Sequence, residues 1–177
     1  GDGIGNSDST AKNEINHWVF QGSRQIFDVT GYIKNFDDIV WSVTKYRNKM
    51  KIGDKVYLWQ AAGKTKNLTG IVASAWITSL PVIMEDELNS IDYWTRDGPS
   101  EDAWRVRLKV ESRFVEQDEI IRRELIEMDS ELGRMSVIRI QTGTNFAVSE
   151  SQAQKLDQLI QQARFLNKLP VNSEDFA

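Results

Sequence analysis

The chain has 177 residues, 40% of them hydrophobic, with 22 Lys and Arg against 26 Asp and Glu and a pI of about 5.1. That length suits one ordinary domain with a substantial core, and the net charge of −4 argues against affinity built by coating phosphates with basic side chains. Zero cysteines and one histidine exclude disulfides, thiolate metal sites and histidine-rich metal sites.

Residues 1–14 are rich in glycine, serine and asparagine and read as a disordered leader. His17-Trp-Val-Phe20 is a short aromatic and β-branched strand signal. Residues 37–50 carry Ile39, Val43, Tyr46 and Met50 at helical spacing, within roughly 60° of one another on a wheel of about 100° per residue. On that helix Trp41 falls about 200° from Ile39, beside Thr44, Lys45 and Asn48, where a flat indole suits stacking against something planar. The alternative is that Trp41 precedes the helix and packs under a neighbouring loop.

Lys55 to Gln60 is apolar on both faces, as a central strand is, and after the polar loop 61–67 a further strand spans Gly70 to Thr78. Ser90 to Gly98 is a polar loop in which Trp94 has no evident core role. Trp104, Val106, Leu108 and Val110 alternate with Arg105, Arg107 and Lys109, predicting a strand with one wet face. A helix is expected over 117–128, a strand over 135–140, and a helix over 149–165 opened by the capping-box pair Ser149 and Gln152. Residues 167–177 read as a tail or linker, leaving 15–166 as the domain. The pattern is α+β: a curved, largely antiparallel sheet or small barrel with flanking helices. Trp18, Val56, Leu58, Ile71, Trp104, Val106 and Leu108 are expected in one sheet-based core.

Chemistry-bearing motifs are sparse. His17 beside Trp18 reads as structural, Asp37-Asp38 as a helix-start charge pair, and Glu85-Asp-Glu87 as a solvated face. Gly63-Lys-Thr65 matches the end of a phosphate loop, but Leu58 stands where the upstream glycine is required. Neither catalysis nor a cofactor is expected. No run of about eighteen apolar residues is present and no signal peptide is visible, so a cytoplasmic protein is the natural reading.

Several segments are nonetheless distinctive: His17-Trp-Val-Phe-Gln-Gly22, Trp41-Ser-Val-Thr-Lys-Tyr-Arg47, Ile52-Gly-Asp-Lys-Val-Tyr-Leu-Trp-Gln60, Thr69-Gly-Ile-Val-Ala73, Thr78-Ser-Leu-Pro81 and Gln141-Thr-Gly-Thr-Asn-Phe-Ala-Val-Ser149. Through these the chain resembles the EVE domain of the PUA-like superfamily, a relative of YTH domains. The likeness is greatest to EVE domains attached to modification-dependent restriction systems of the McrBC kind. The resemblance implies a pocket for one modified base: methylated or hydroxymethylated cytosine, or methylated adenine. It places the cage at Trp41-Ser42 and at Tyr93-Trp94. Departures are Trp76, where relatives carry a charged residue, and Lys64 and Lys66, which lengthen a loop.

On this reading Trp41 and Trp94 are facing walls above a floor near Trp59, and Ser42, Gln60 or Asn145 reads the polar edge of the base. Lys45, Arg47, Lys64 and Lys66 are candidate phosphate contacts. The expected partner is modified DNA or, alternatively, RNA, with a nuclease or AAA+ GTPase module in the same system. A third reading is a small-molecule or protein-interaction domain with an aromatic pocket, which the acidic charge favours.

Overall fold

The computed structural model describes residues 14–86, 88–95 and 102–168, so most of the expected leader and tail lies outside the described residues. Strand β1 (His17–Ser23) leads into helix α1 (Val29–Asn35) and strand β2 (Asp38–Ser42). Strands β3 (Lys55–Ala61), β4 (Gly70–Ile77), β5 (Val82–Met84), β6 (Ala103–Arg113) and β7 (Ile121–Arg122) follow. The chain ends in α2 (Arg123–Glu127), α3 (Ser136–Arg139), β8 (Asn145–Val148) and α4 (Glu150–Lys168).

The strands form one curled sheet in the order β2-β6-β4-β3-β1-β8, with β5 on β6 and β7 on β4. β1 and β3 run parallel, and every other described pair is antiparallel. The expected α+β class and curved, largely antiparallel sheet are therefore present. Because β1 and β3 are central, both their faces are buried, which is why 55–60 is apolar on each side. Trp18, Phe20, Val56, Leu58, Val106 and Leu108 pack on one face with Tyr32 and Ile33 of α1. Val19, Tyr57, Trp59 and Ile71 pack on the other with Leu156 and Ile160 of α4. The single expected core is thus two cores, and Trp104 is only half-buried.

The curl brings the two edge strands together. Asn145, at the start of β8, donates Nδ2 to the Ser42 carbonyl at 3.1 Å and accepts from Thr44 N–H at 2.7 Å. One amide side chain thereby pairs the backbone groups that β2 would otherwise leave open at its end.

Four sequence expectations are corrected. Residues 37–50 are not a helix: Ile39 pairs with Leu108 and Trp41 with Val106, so β2 completes the sheet instead. Beyond it Tyr46 has φ of 66°, which an α-helix does not accommodate. Met135 to Ile140 is not a strand, because Met135 and Ile138 are both buried at a spacing of three and belong to a turn of helix. Only Arg123–Glu127 of 117–128 is helical. Before it, β7 adds to β4 at Gly70, where a Cβ would stand 2.1 Å from the Ile121 carbonyl oxygen, so only glycine admits the approach. Arg105 lies on the same side of β6 as Arg107 and Lys109, but it is not wet: it is covered beside β5 and 2% exposed.

The last helix forms as expected, with reciprocal Ser149–Gln152 capping bonds of 3.1 Å. α1 was not expected. Its signal was present in Asp28, which accepts from Gly31 N–H, followed by Val29, Tyr32 and Ile33 on one buried stripe.

Candidate functional site

The C-terminal ends of β1, β2 and β3 open into a cavity of about 470 Å³, within the roughly 300–1,000 Å³ typical of small-ligand sites. Trp41, Val40, Ile26, Phe27 and Trp94 make its apolar walls, while Ser42, Asp86, Ser90 and Arg105 bring polar groups to it.

Trp41 reaches the cavity from a strand, not from a helix face. Its alternation with Ile39 and Val43 puts it in the inner core, 7% exposed, with part of the indole facing the cavity. Gly22 of β1 makes room for it: a Cβ there would meet Trp41 Cζ2 at 3.0 Å and Val29 Cγ2 at 2.9 Å. Trp94 comes from the opposite direction. Its segment is tied to 25–28 by an isolated bridge to Phe27, by Asp28 N–H donating to the Tyr93 carbonyl at 2.6 Å, and by Thr95 N–H donating to the Ile26 carbonyl. The ring meets Phe27 edge-on at 5.0 Å, and its Nε1–H donates to Asp86 Oδ2 at 3.2 Å. A third wall is the loop 141–144, held by Gln21 Nε2 donating to the carbonyls of Gln141 and Gly143.

The structure brings Trp41, Ser42 and Trp94 together around this cavity and leaves the other expected cage residues elsewhere. Trp59 is on the opposite face of the sheet, under α3 and α4, because the alternation of β3 sends Leu58 and Trp59 to different cores. It is not the floor. Gln60 is buried and donates to the Leu68 carbonyl at 2.8 Å, closing the 61–69 loop. Tyr93 points into the ring cluster of Phe27, Tyr32 and Phe36, and its hydroxyl accepts from Asn35. Asn145 is the seam between the edge strands.

The candidate phosphate contacts are scattered. Lys45 lies 5.1 Å from the Tyr46 ring and the Arg47 guanidinium 4.1 Å from the Trp104 ring. Lys64 is exposed. Lys66 lines a separate depression with Arg123, Glu124 and Glu127, adjoining the main cavity through Gln141. Trp76 is not among the lining residues and carries Lys55 Nζ 4.6 Å from its ring.

Sequence reasoning missed Arg105, Asp86 and Phe27. Arg105 was hidden because β6 keeps the alternation that marks it as solvent-facing, while its surroundings cover it. The signal for Phe27 was its place just before the unread helix cap at Asp28. Among the described residues, no three His, Asp or Glu side chains gather as a metal site, and no helix is long and apolar enough to cross a membrane.

A curled sheet whose edge strands meet, with a cavity at its strand ends, is the architecture of the PUA-like fold. The EVE domain family model matches residues 16–159, and the chain belongs to that family. No curated protein sequence matches it. Among solved structures, a hypothetical protein from Leishmania major is similar at 17% identity with a TM-score of 0.61, over 85% of this chain and 98% of that one. Human THYN1, solved in complex with DNA containing 5-methylcytosine, is 14% identical with a TM-score of 0.56, over 88% and 99%. The YTH domain of Zygosaccharomyces rouxii MRB1, solved with N6-methyladenosine RNA, is 10% identical with a TM-score of 0.51, over 84% and 88%. At these identities the likeness is one of fold.

Proposed function

We propose that this EVE domain reads a modified nucleobase flipped out of a nucleic-acid strand, with no catalytic activity of its own. The observation that carries the proposal is the cavity bounded by two indoles, Trp41 and Trp94, with polar groups beside them. The neighbours supply context: one is solved with methylated DNA and another with methylated RNA. Unstacking a base costs a few kcal/mol, and aromatic stacking returns about 1–3 kcal/mol per base. Burying one methyl adds only about 0.8 kcal/mol, so preference for the modified base rests on shape and edge contacts.

DNA is the proposed ligand, a methylated or hydroxymethylated cytosine or a methylated adenine the proposed base, and the cytoplasm the proposed setting. We extend the proposal to a domain of the McrBC kind, which lends specificity to a restriction nuclease or AAA+ GTPase translocase. Finding a coding sequence for such a module beside this one would support that extension. RNA is the second reading, favoured by the YTH neighbour. Fluorescence anisotropy with matched oligonucleotides, modified and unmodified, as single- and double-stranded DNA and as RNA, tests the proposal. Tighter binding of one modified form is expected. Equal affinity for all forms, or none, overturns it and leaves the small-molecule reading.

A further inference from the structure

Thymine poses a problem for any cavity that takes 5-methylcytosine. Both are pyrimidines with a methyl group on C5, so stacking on Trp41 and Trp94 and burial of the methyl treat them alike. They differ along one edge. Cytosine offers an N4 amino donor followed by N3 and O2 acceptors; thymine offers an O4 acceptor, an N3–H donor and the O2 acceptor. A site that accepts the one must present acceptor, donor, donor, the order found on guanine.

We infer that Arg105 and Asp86 read this edge and make the cavity selective for a 4-aminopyrimidine over its 4-keto counterpart. The inference rests on the proposed function, since it requires that a base enter this cavity. Arg105 is 2% exposed and lines the cavity from β6 at the position paired with Ser42. Its Nη1 donates to the carbonyl of Met84, the last residue of β5. Asp86 follows two residues later and also lines the cavity, and its Oδ2 accepts from Trp94 Nε1 at 3.2 Å. A guanidinium and a carboxylate thus reach the cavity from adjoining positions, each oriented by a second contact.

Their chemistry supplies the required order. A guanidinium carries five N–H donors in a rigid fork, so one can anchor the group on a carbonyl while others meet a ligand. It has no acceptor for the N3–H of thymine. An ionised carboxylate is acceptor-only, suits the cytosine amino group and repels a keto oxygen. Sites that hydrogen-bond a polar edge discriminate far better than apolar pockets do, because the wrong edge leaves buried groups unpaired. Asp86 also acts on the wall itself, fixing the indole of Trp94 in the same contact.

The test uses the whole chain and single-stranded oligonucleotides alike except at one position. That position carries cytosine, 5-methylcytosine, thymine, adenine, N6-methyladenine or 3-deaza-5-methylcytosine, which lacks the N3 acceptor. Binding of 5-methylcytosine is expected to exceed that of thymine by about tenfold or more, with a similar loss for the 3-deaza base. Asp86→Asn should narrow the ratio, because its amide offers a donor to O4 while its oxygen can still hold Trp94. Arg105→Gln should narrow it too, because its amide oxygen can accept from N3–H. If Arg105→Gln does not fold, the 3-deaza comparison on the unaltered chain still decides. Thymine bound as tightly as 5-methylcytosine, or full affinity for the 3-deaza base, sinks the inference while the reader function stands. So does a preference for N6-methyladenine over 5-methylcytosine. Failure to distinguish any modified base from its unmodified parent refutes the proposed function itself.

Discussion

Trp41 and Trp94 line the same cavity but differ in what else they do. Trp41 is 7% exposed and packs with Ile39 and Val43 in the inner core, whereas Trp94 is half-buried on the rim. Trp41→Ala should therefore cost about 3–5 kcal/mol of stability, the range for emptying a core aromatic site. Trp94→Ala should weaken binding of the preferred oligonucleotide by about 1–3 kcal/mol, one lost stacking partner, and destabilise the fold less. Urea unfolding of both variants, with anisotropy on Trp94→Ala, checks the pair. Full oligonucleotide affinity in Trp94→Ala removes that indole from the site. The sequence marks both tryptophans as unusual, but for Trp41 the helical reasoning was wrong. Periodicity assigned Trp41 to the face opposite Ile39, and strand pairing puts the two on the same face.

Among elements, one side chain joins the edge strands, and another adds a hydrogen bond to the apolar packing of α4. Asn145→Ala leaves the Ser42 carbonyl and Thr44 N–H without their partner, and should cost about 1–3 kcal/mol. It should also speed hydrogen exchange at Thr44 well before global unfolding. Unchanged exchange there argues that the seam is held by something else. The motif Gly143-Thr-Asn-Phe146 was legible as a resemblance. That its asparagine joins strands more than 100 residues apart in sequence was not legible, because no local pattern encodes which edges meet.

Tyr57 ties β3 to α4 by donating to Asp157 Oδ1 at 2.6 Å. Burial, and then this bond, push its phenol above the usual pKa of about 10. Above that pH the unfolded chain releases the phenolic proton while the folded chain keeps it. The contribution is thus whole below about pH 10 and declines as pH rises further. Tyr57→Phe should lose about 1 kcal/mol at neutral pH, one hydrogen bond, and flatten the alkaline fall in melting temperature. An identical alkaline limb in both proteins contradicts this account.

For the whole molecule, charge and cavity together set how a strand is held. The net charge is −4, and the candidate phosphate contacts are dispersed, with Lys66 beside Glu124 and Glu127. Affinity should come mainly from the extruded base. The slope of log affinity against log salt on single strands should then stay below about 2 in magnitude, since each phosphate contact contributes about 0.7. A steep slope with equal affinity for unmodified strands points to backbone-led binding instead.

The sequence by itself determined the class of the domain, the central strand 55–60, the capped helix after Ser149 and the family. The class, the strand and the helix follow from local composition, a run apolar on both faces and a cap whose partners lie three residues apart, and the family from the resemblance of its motifs. Tertiary structure alone decided that 38–42 is a strand, that Trp59 faces α4, and that Arg105 is covered and lines the cavity. The physical reason is common to all three. A short apolar segment fits either helix or strand until an unpaired neighbour such as β6 offers it backbone partners. The two buried faces of a central strand are indistinguishable until other elements cover them. An arginine on the wet side of β6 is covered only when β5, the preceding strand, pairs beside it and offers the Met84 carbonyl to hold its guanidinium.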